Sequence, residues 1–175
     1  MKTSKLFLCL AIGSSLLLLN GCKKDDDSTY QPKGTYGNAN LTSSSTVTLN
    51  NWSSDFNDGI NYEYSSVINW ASITQAVKDN GIVMAYVDDG AGGWLALPYT
   101  DAGDSYYSYS FNFSFKVGSI SIIANGFDDL GAPATTDFNG TIIRIVAISP
   151  ATRAANPNLD YKNFNAVKVA LHLKD

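Results

Sequence analysis

The run from Tyr107 to Phe115 constrains this chain more than any other stretch. Tyr107, Tyr109, Phe111, Phe113 and Phe115 alternate with Ser108, Ser110, Asn112 and Ser114. A period of two sorts aromatic and small polar side chains onto opposite faces of a strand, which no helix can do. A slip of one residue would exchange the faces, so the pattern also fixes the pairing register. Ser and Asn on the outer face suit a solvated antiparallel sheet. Lys116-Val117-Gly118-Ser119 reads as a tight connection into Ile120, Ile122 and Ile123, and the two strands are predicted to pair as a hairpin.

Other segments carry weaker versions of the same signal. Thr46 to Leu49 alternates, as do Ile60, Tyr62 and Tyr64 with Asn61, Glu63 and Ser65. Ile82 to Val87, Trp94 to Leu97 before Pro98, and Thr141 to Ile148 before Pro150 are nearly continuous apolar runs. Together they make seven runs separated by Gly, Asn, Asp and Pro, which predicts a mainly β chain. The expected architecture is an antiparallel β-sandwich, immunoglobulin-like or related, of about seven strands with one or two short helices.

The helices are expected in two places. Ser72-Ile73-Thr74-Gln75 fits a capping box with Ser72 as N-cap, and Asn80-Gly81 supplies the stop. The competing reading is a strand ending in an Asn-Gly hairpin turn. Near the end, Tyr161, Phe164, Val167, Val169 and Leu171 partly fit a helix capped by Asp160, while Val167, Val169, Leu171 and Leu173 fit a strand equally well.

The N-terminus has a different design. Lys2 and Lys5 precede an apolar stretch from about Leu6 to Leu19, too short for a spanning helix and arranged as a removable export signal. It closes on Leu19-Asn20-Gly21-Cys22, which resembles the lipobox of bacterial lipoproteins. That resemblance implies a signal peptide at residues 1–21 and acylation (palmitate among the chains) of Cys22, and multiple acyl chains hold a protein stably on a membrane. Cys9 would leave with the signal. Residues 22–40 lack apolar periodicity and read as a disordered tether, and 41–175 as one β-rich domain. Lys23-Lys24-Asp25-Asp26-Asp27 resembles the export signal of Bacteroidetes-type surface lipoproteins, which implies placement in the outer membrane, facing the medium. Asp27-Ser28-Thr29 resembles the O-glycosylation sequon of the same bacteria, with Ser28 as acceptor.

Charge and composition exclude some chemistry. Without the signal, ten cationic residues face sixteen acidic ones, a formal charge of −6. No basic cluster exists beyond Lys23-Lys24, so nucleic acid is not an expected partner. His172 is the sole histidine and stands near the C-terminus, where a surface or edge position is expected. No Gly-x-Ser-x-Gly elbow, phosphate loop or set of zinc ligands is present. Glu63, the one glutamate, sits mid-strand and would need a carboxylate opposite it to act as a hydrolase.

Two constellations remain. Loops bearing Asp88-Asp89 and Asp128-Asp129 offer oxygens for calcium, although Asp, Asn and Gly are also what hairpin turns require. None has the spacing of an EF-hand loop, and no other cofactor is expected. Trp52, Trp70 and Trp94 are candidates for stacking on a sugar ring, or for packing in a sandwich core.

The stretch from Ile73 to Val87, then Gly93 to Tyr99 and Ile142 to Val146, is similar to a pattern in small uncharacterised Bacteroidetes-type lipoproteins. That resemblance brings no catalytic residue. The expectation is a membrane-anchored binding or structural module without catalytic activity, with a glycan or protein partner. The alternatives are a carbohydrate-binding module of a polysaccharide-use system and a small carboxylate-dependent hydrolase.

Overall fold

The computed structural model describes residues 42–174. The signal at 1–21, the tether at 22–40, Cys22 and Ser28 lie outside the described residues. Among the described residues nine strands form two antiparallel sheets. The first sheet has the order β1 (Ser43–Leu49), β9 (Thr141–Ile148), β4 (Ile82–Asp88), β5 (Trp94–Ala96). The second has the order β2 (Ser53–Asn57), β3 (Asn61–Asn69), β8 (Ser119–Asp128), β7 (Tyr107–Lys116), β6 (Tyr99–Asp101). They pack face to face as a β-sandwich. Val83, Ala85, Ile143, Ile145 and Ala147 of the first sheet meet Phe111, Ile120, Ile122 and Ala124 of the second in one buried cluster.

All seven predicted runs are strands, and β7 pairs with β8 as a hairpin closed by Lys116 opposite Ser119. Gly118 stands at φ +81 in that turn, a conformation glycine adopts without strain. Two strands carry no readable signal. The β2 strand is exposed throughout and bulges against β3 between Ser54 and Phe56, and β6 has only three residues.

The first sheet is covered on both faces, which explains why β4 and β9 are apolar almost without interruption. On the face away from the other sheet, Tyr86, Val146 and Ile148 bury against Phe164 and Val167 of α3 (Phe164–Ala170). The C-terminal segment is therefore helical. Its N-cap is Asn163, whose side chain accepts from the Ala166 N–H at 3.1 Å, rather than Asp160. A helix places Phe164, Val167 and Leu171 on one stripe toward the sheet, and Val169 is left exposed.

The helix α1 (Gln75–Asn80) replaces the alternative Asn-Gly hairpin, but its cap lies two residues beyond the expected Ser72. Thr74 Oγ1 accepts from the Val77 N–H at 3.2 Å. Ile73 cannot join the helix. Its N–H donates to the Trp70 carbonyl in a local turn after β3, and its carbonyl accepts from the Gly118 N–H of the β7–β8 turn. A third helix, α2 (Pro150–Ala155), starts on Ser149 as N-cap with Pro150 in its first turn. Among the described residues no helix is long and apolar enough to cross a membrane.

Candidate functional site

At one end of the sandwich the two sheets part. The gap is a cleft of about 430 Å³ between the ends of β4 and β5 on one side and β6 and β7 on the other. Its walls are Val87, Leu95, Tyr99, Tyr109 and Phe111. Its rim is the Asp88–Gly90 loop and the start of β9 around Thr141. A volume of this size suits a small ligand, and mostly apolar walls with a few polar groups are what such sites present.

The rim loop is built by its two aspartates. Asp88 Oδ1 accepts from the Gly90 N–H at 2.6 Å. Asp89 Oδ1 accepts from the Ala91 N–H at 2.8 Å and the Gly93 N–H at 2.7 Å. Bonds from the Ala91 and Gly93 amides hold the Asp89 carboxyl below its usual value. Gly90 and Gly92 take φ values of +72 and +88, which let so tight a loop close. The wall opposite comes from β6, which crosses to the second sheet directly after β5. Its pairing sets Tyr99 beside Phe111 and Asp101 beside Tyr109. Burial first, and the neighbouring Asp101 carboxylate next, push the Tyr109 phenol up. The cleft thus offers aromatic faces, the protonated Tyr109 hydroxyl and a fixed acidic loop.

The predicted site residues are not brought together. Asp88 and Asp89 stand at the cleft. Asp128 ends β8 and Asp129 follows it, neither lining the cleft; Asp128 Oδ1 accepts from the Leu130 N–H at 2.9 Å and Asp129 N–H donates to the Tyr106 carbonyl. Asp88, Asp89 and Asp128 therefore serve as turn formers. Among the described residues no three His, Cys, Asp or Glu side chains cluster in a way that could hold a metal.

The tryptophans are packing residues. Trp52 lies between Phe111 and Phe138 and donates Nε1–H to the Phe138 carbonyl at 3.0 Å. Trp70 packs on the inter-sheet core, and its buried Nε1–H has no partner among the described residues. Trp94 packs on the other face of the first sheet, 5.6 Å from the Phe164 ring. All three are half-buried and form no exposed pair. The aromatics at the cleft are Tyr99, Tyr109 and Phe111, of which the sequence marks Tyr109 and Phe111 as strand residues and none as a site residue.

Glu63 lies on the outer face of the second sheet. Its cross-strand neighbours are Phe56 on β2 and Asn125 on β8, so no carboxylate stands opposite it. Asn125 is part of a polar strip in which Asn112 Nδ2 donates to Ser110 Oγ at 3.1 Å and to Asn125 Oδ1 at 3.2 Å. His172 is exposed, as expected. No protein family, curated protein or solved structure matches this chain.

Proposed function

We propose that this chain is a lipid-anchored cell-envelope protein whose β-sandwich acts as a binding module, with the end cleft as its ligand seat. The anchor reading rests on the Leu19-Asn20-Gly21-Cys22 pattern and on the charged run behind it. Those residues also favour the outer membrane, with the sandwich facing the medium. The observation that carries the binding reading is the cleft, where Tyr99 and Tyr109 face a rim loop braced by Asp89.

A carbohydrate-binding module is the second reading. Tyrosine faces stack on the apolar side of a sugar ring, while hydroxyl and carboxylate groups take its hydroxyls. The half-buried tryptophans do not supply the exposed platform that this reading expects, so its support comes from the tyrosines alone. A carboxylate-dependent hydrolase draws no support from Glu63, whose row across the sheet holds Phe56 and Asn125.

Two measurements test the proposal. Labelled palmitate should enter the natural chain and fail to enter Cys22→Ala, and equal labelling of both would end the anchor reading. The non-acylated Cys22→Ala chain should bind members of a glycan array, and Tyr109→Ala should weaken that binding. Glycan signal unchanged by Tyr109→Ala would remove the cleft as the seat. Silence on all glycans, with and without calcium, would leave a protein partner as the object of the module.

A further inference from the structure

We infer that the helix-bearing face of the first sheet carries a second binding site, built on Arg144, for a carboxylate group. It lies outside the end cleft and does not depend on the reading given to that cleft. Arg144 comes from the middle of β9 and is only 6% exposed. Its Nε–H donates to Ser44 Oγ at 2.8 Å and Nη1–H to Thr46 Oγ1 at 3.0 Å. Nη2–H donates to the Lys174 carbonyl, and the guanidinium carbon sits 5.4 Å from the centre of the Phe164 ring.

Every one of these partners is neutral. A guanidinium has five N–H donors, so three bonds leave two N–H groups without an acceptor among the described residues. A buried cation held only by neutral groups is costly, and the usual remedy is an anion. Room for one is present. Arg144 opens into a cleft of about 570 Å³ that Lys174, His172, Thr42 and Ser45 also line. Among the described residues no Asp or Glu lines it. On a chain with a formal charge of −4, this is a cation-lined hollow. Ser44 and Thr46 accept from the guanidinium, which leaves their own O–H groups to donate outward. A planar guanidinium with two free donors matches a carboxylate, and the surrounding hydroxyls match the polar body of an acidic sugar.

The carboxylate has two sources. One is a free acidic ligand. The other is this chain, since the acidic Asp175 follows Lys174 in the sequence. Glucuronate, with neutral methyl glucoside as its control, separates them when titrated into the isotope-labelled full chain in mild detergent. The readout is the Arg144 Nε–H signal with the Ser45 and Thr46 amides. A saturable shift with glucuronate alone establishes the site and an external ligand. The variant Lys174→Gln, on the cleft's surface, should then weaken binding about threefold. A natural chain that is silent, beside a shift in Asp175→Asn carrying a Gly-Gly extension, establishes the site with the chain's own carboxylate as occupant. No shift in either chain, or equal shifts with the neutral glucoside, would overturn the inference.

Discussion

The hydroxyl of Tyr86, a side chain with no exposed surface, donates to the backbone carbonyl of Tyr161. This bond ties the centre of β4 to the segment that leads into α3. Replacing Tyr86 by Phe keeps the ring against Phe164 and leaves the part-buried Tyr161 carbonyl without this donor. The expected cost is about 1–2 kcal/mol, measured by chemical unfolding of the two chains. No loss of stability would show that the bond contributes nothing.

Tyr86 also makes stability depend on alkaline pH. Burial first, and the Asp160 carboxylate second, raise its phenol well above the ordinary 10.0. The folded chain keeps this proton at a pH where the unfolded chain releases it. The stability that Tyr86 supplies is therefore complete below pH 10 and falls as pH rises beyond it. Urea midpoints between pH 9 and 11 should drop more steeply for the natural chain than for Tyr86→Phe, and parallel curves would contradict the assignment.

Gly126 lets three strands close up. A Cβ there would strike the Ser108 carbonyl oxygen and stand 2.9 Å from the Tyr62 hydroxyl. Gly126→Ala should lower stability by about 1–3 kcal/mol, the usual range for overpacking. A thermal midpoint equal to that of the natural chain would mean the strands yield without strain.

The two hydroxyl residues before α1 should behave differently. Thr74→Ala removes the bond to the Val77 N–H and should cost about 1 kcal/mol. Ser72→Ala removes no cap and should stay within about 0.5 kcal/mol of the natural chain. The reverse order would return the cap to Ser72.

Acid should loosen the cleft rim. The Asp89 carboxylate titrates below its ordinary 3.8 because two amides donate to it. The order it gives the loop is present above pH 3.8 and is lost as pH falls through the lowered value. Exchange of the Gly93 amide, corrected for its intrinsic rate, should accelerate in that window in the natural chain. In Asp89→Ala it should be fast at every pH.

The strands were readable where burial differs between faces. The Tyr107–Phe115 alternation placed β7, its hairpin partner and its register, because one face meets the core and the other does not. β2 was unreadable for the opposite reason: Ser53 to Asn57 are exposed on both sides, so nothing alternates. The cap of α1 slipped because Ser72 and Thr74 are chemically alike. The choice between them lies in the hydrogen bonds of Ile73 to Trp70 and Gly118, distant information for a local motif. The cleft was hidden for a similar reason. Tyr99 and Tyr109 become neighbours of one gap only when β6, three residues long, pairs with β7. Arg144 carries no signal inside a strand that reads as apolar, because its hydroxyl partners Ser44 and Thr46 stand 100 and 98 residues earlier.

The pairing of β1 with β9 has a bearing on how the protein is made. Ser43 aligns with Ala147 and Leu49 with Thr141, so the earliest strand waits for the latest one. Closing so long a loop is an entropic barrier, and topologies dominated by distant partners fold slowly. The α3 helix that seals the other face of β9 is later still. A nascent chain therefore leaves β1 without its sheet partner until β9 has been made.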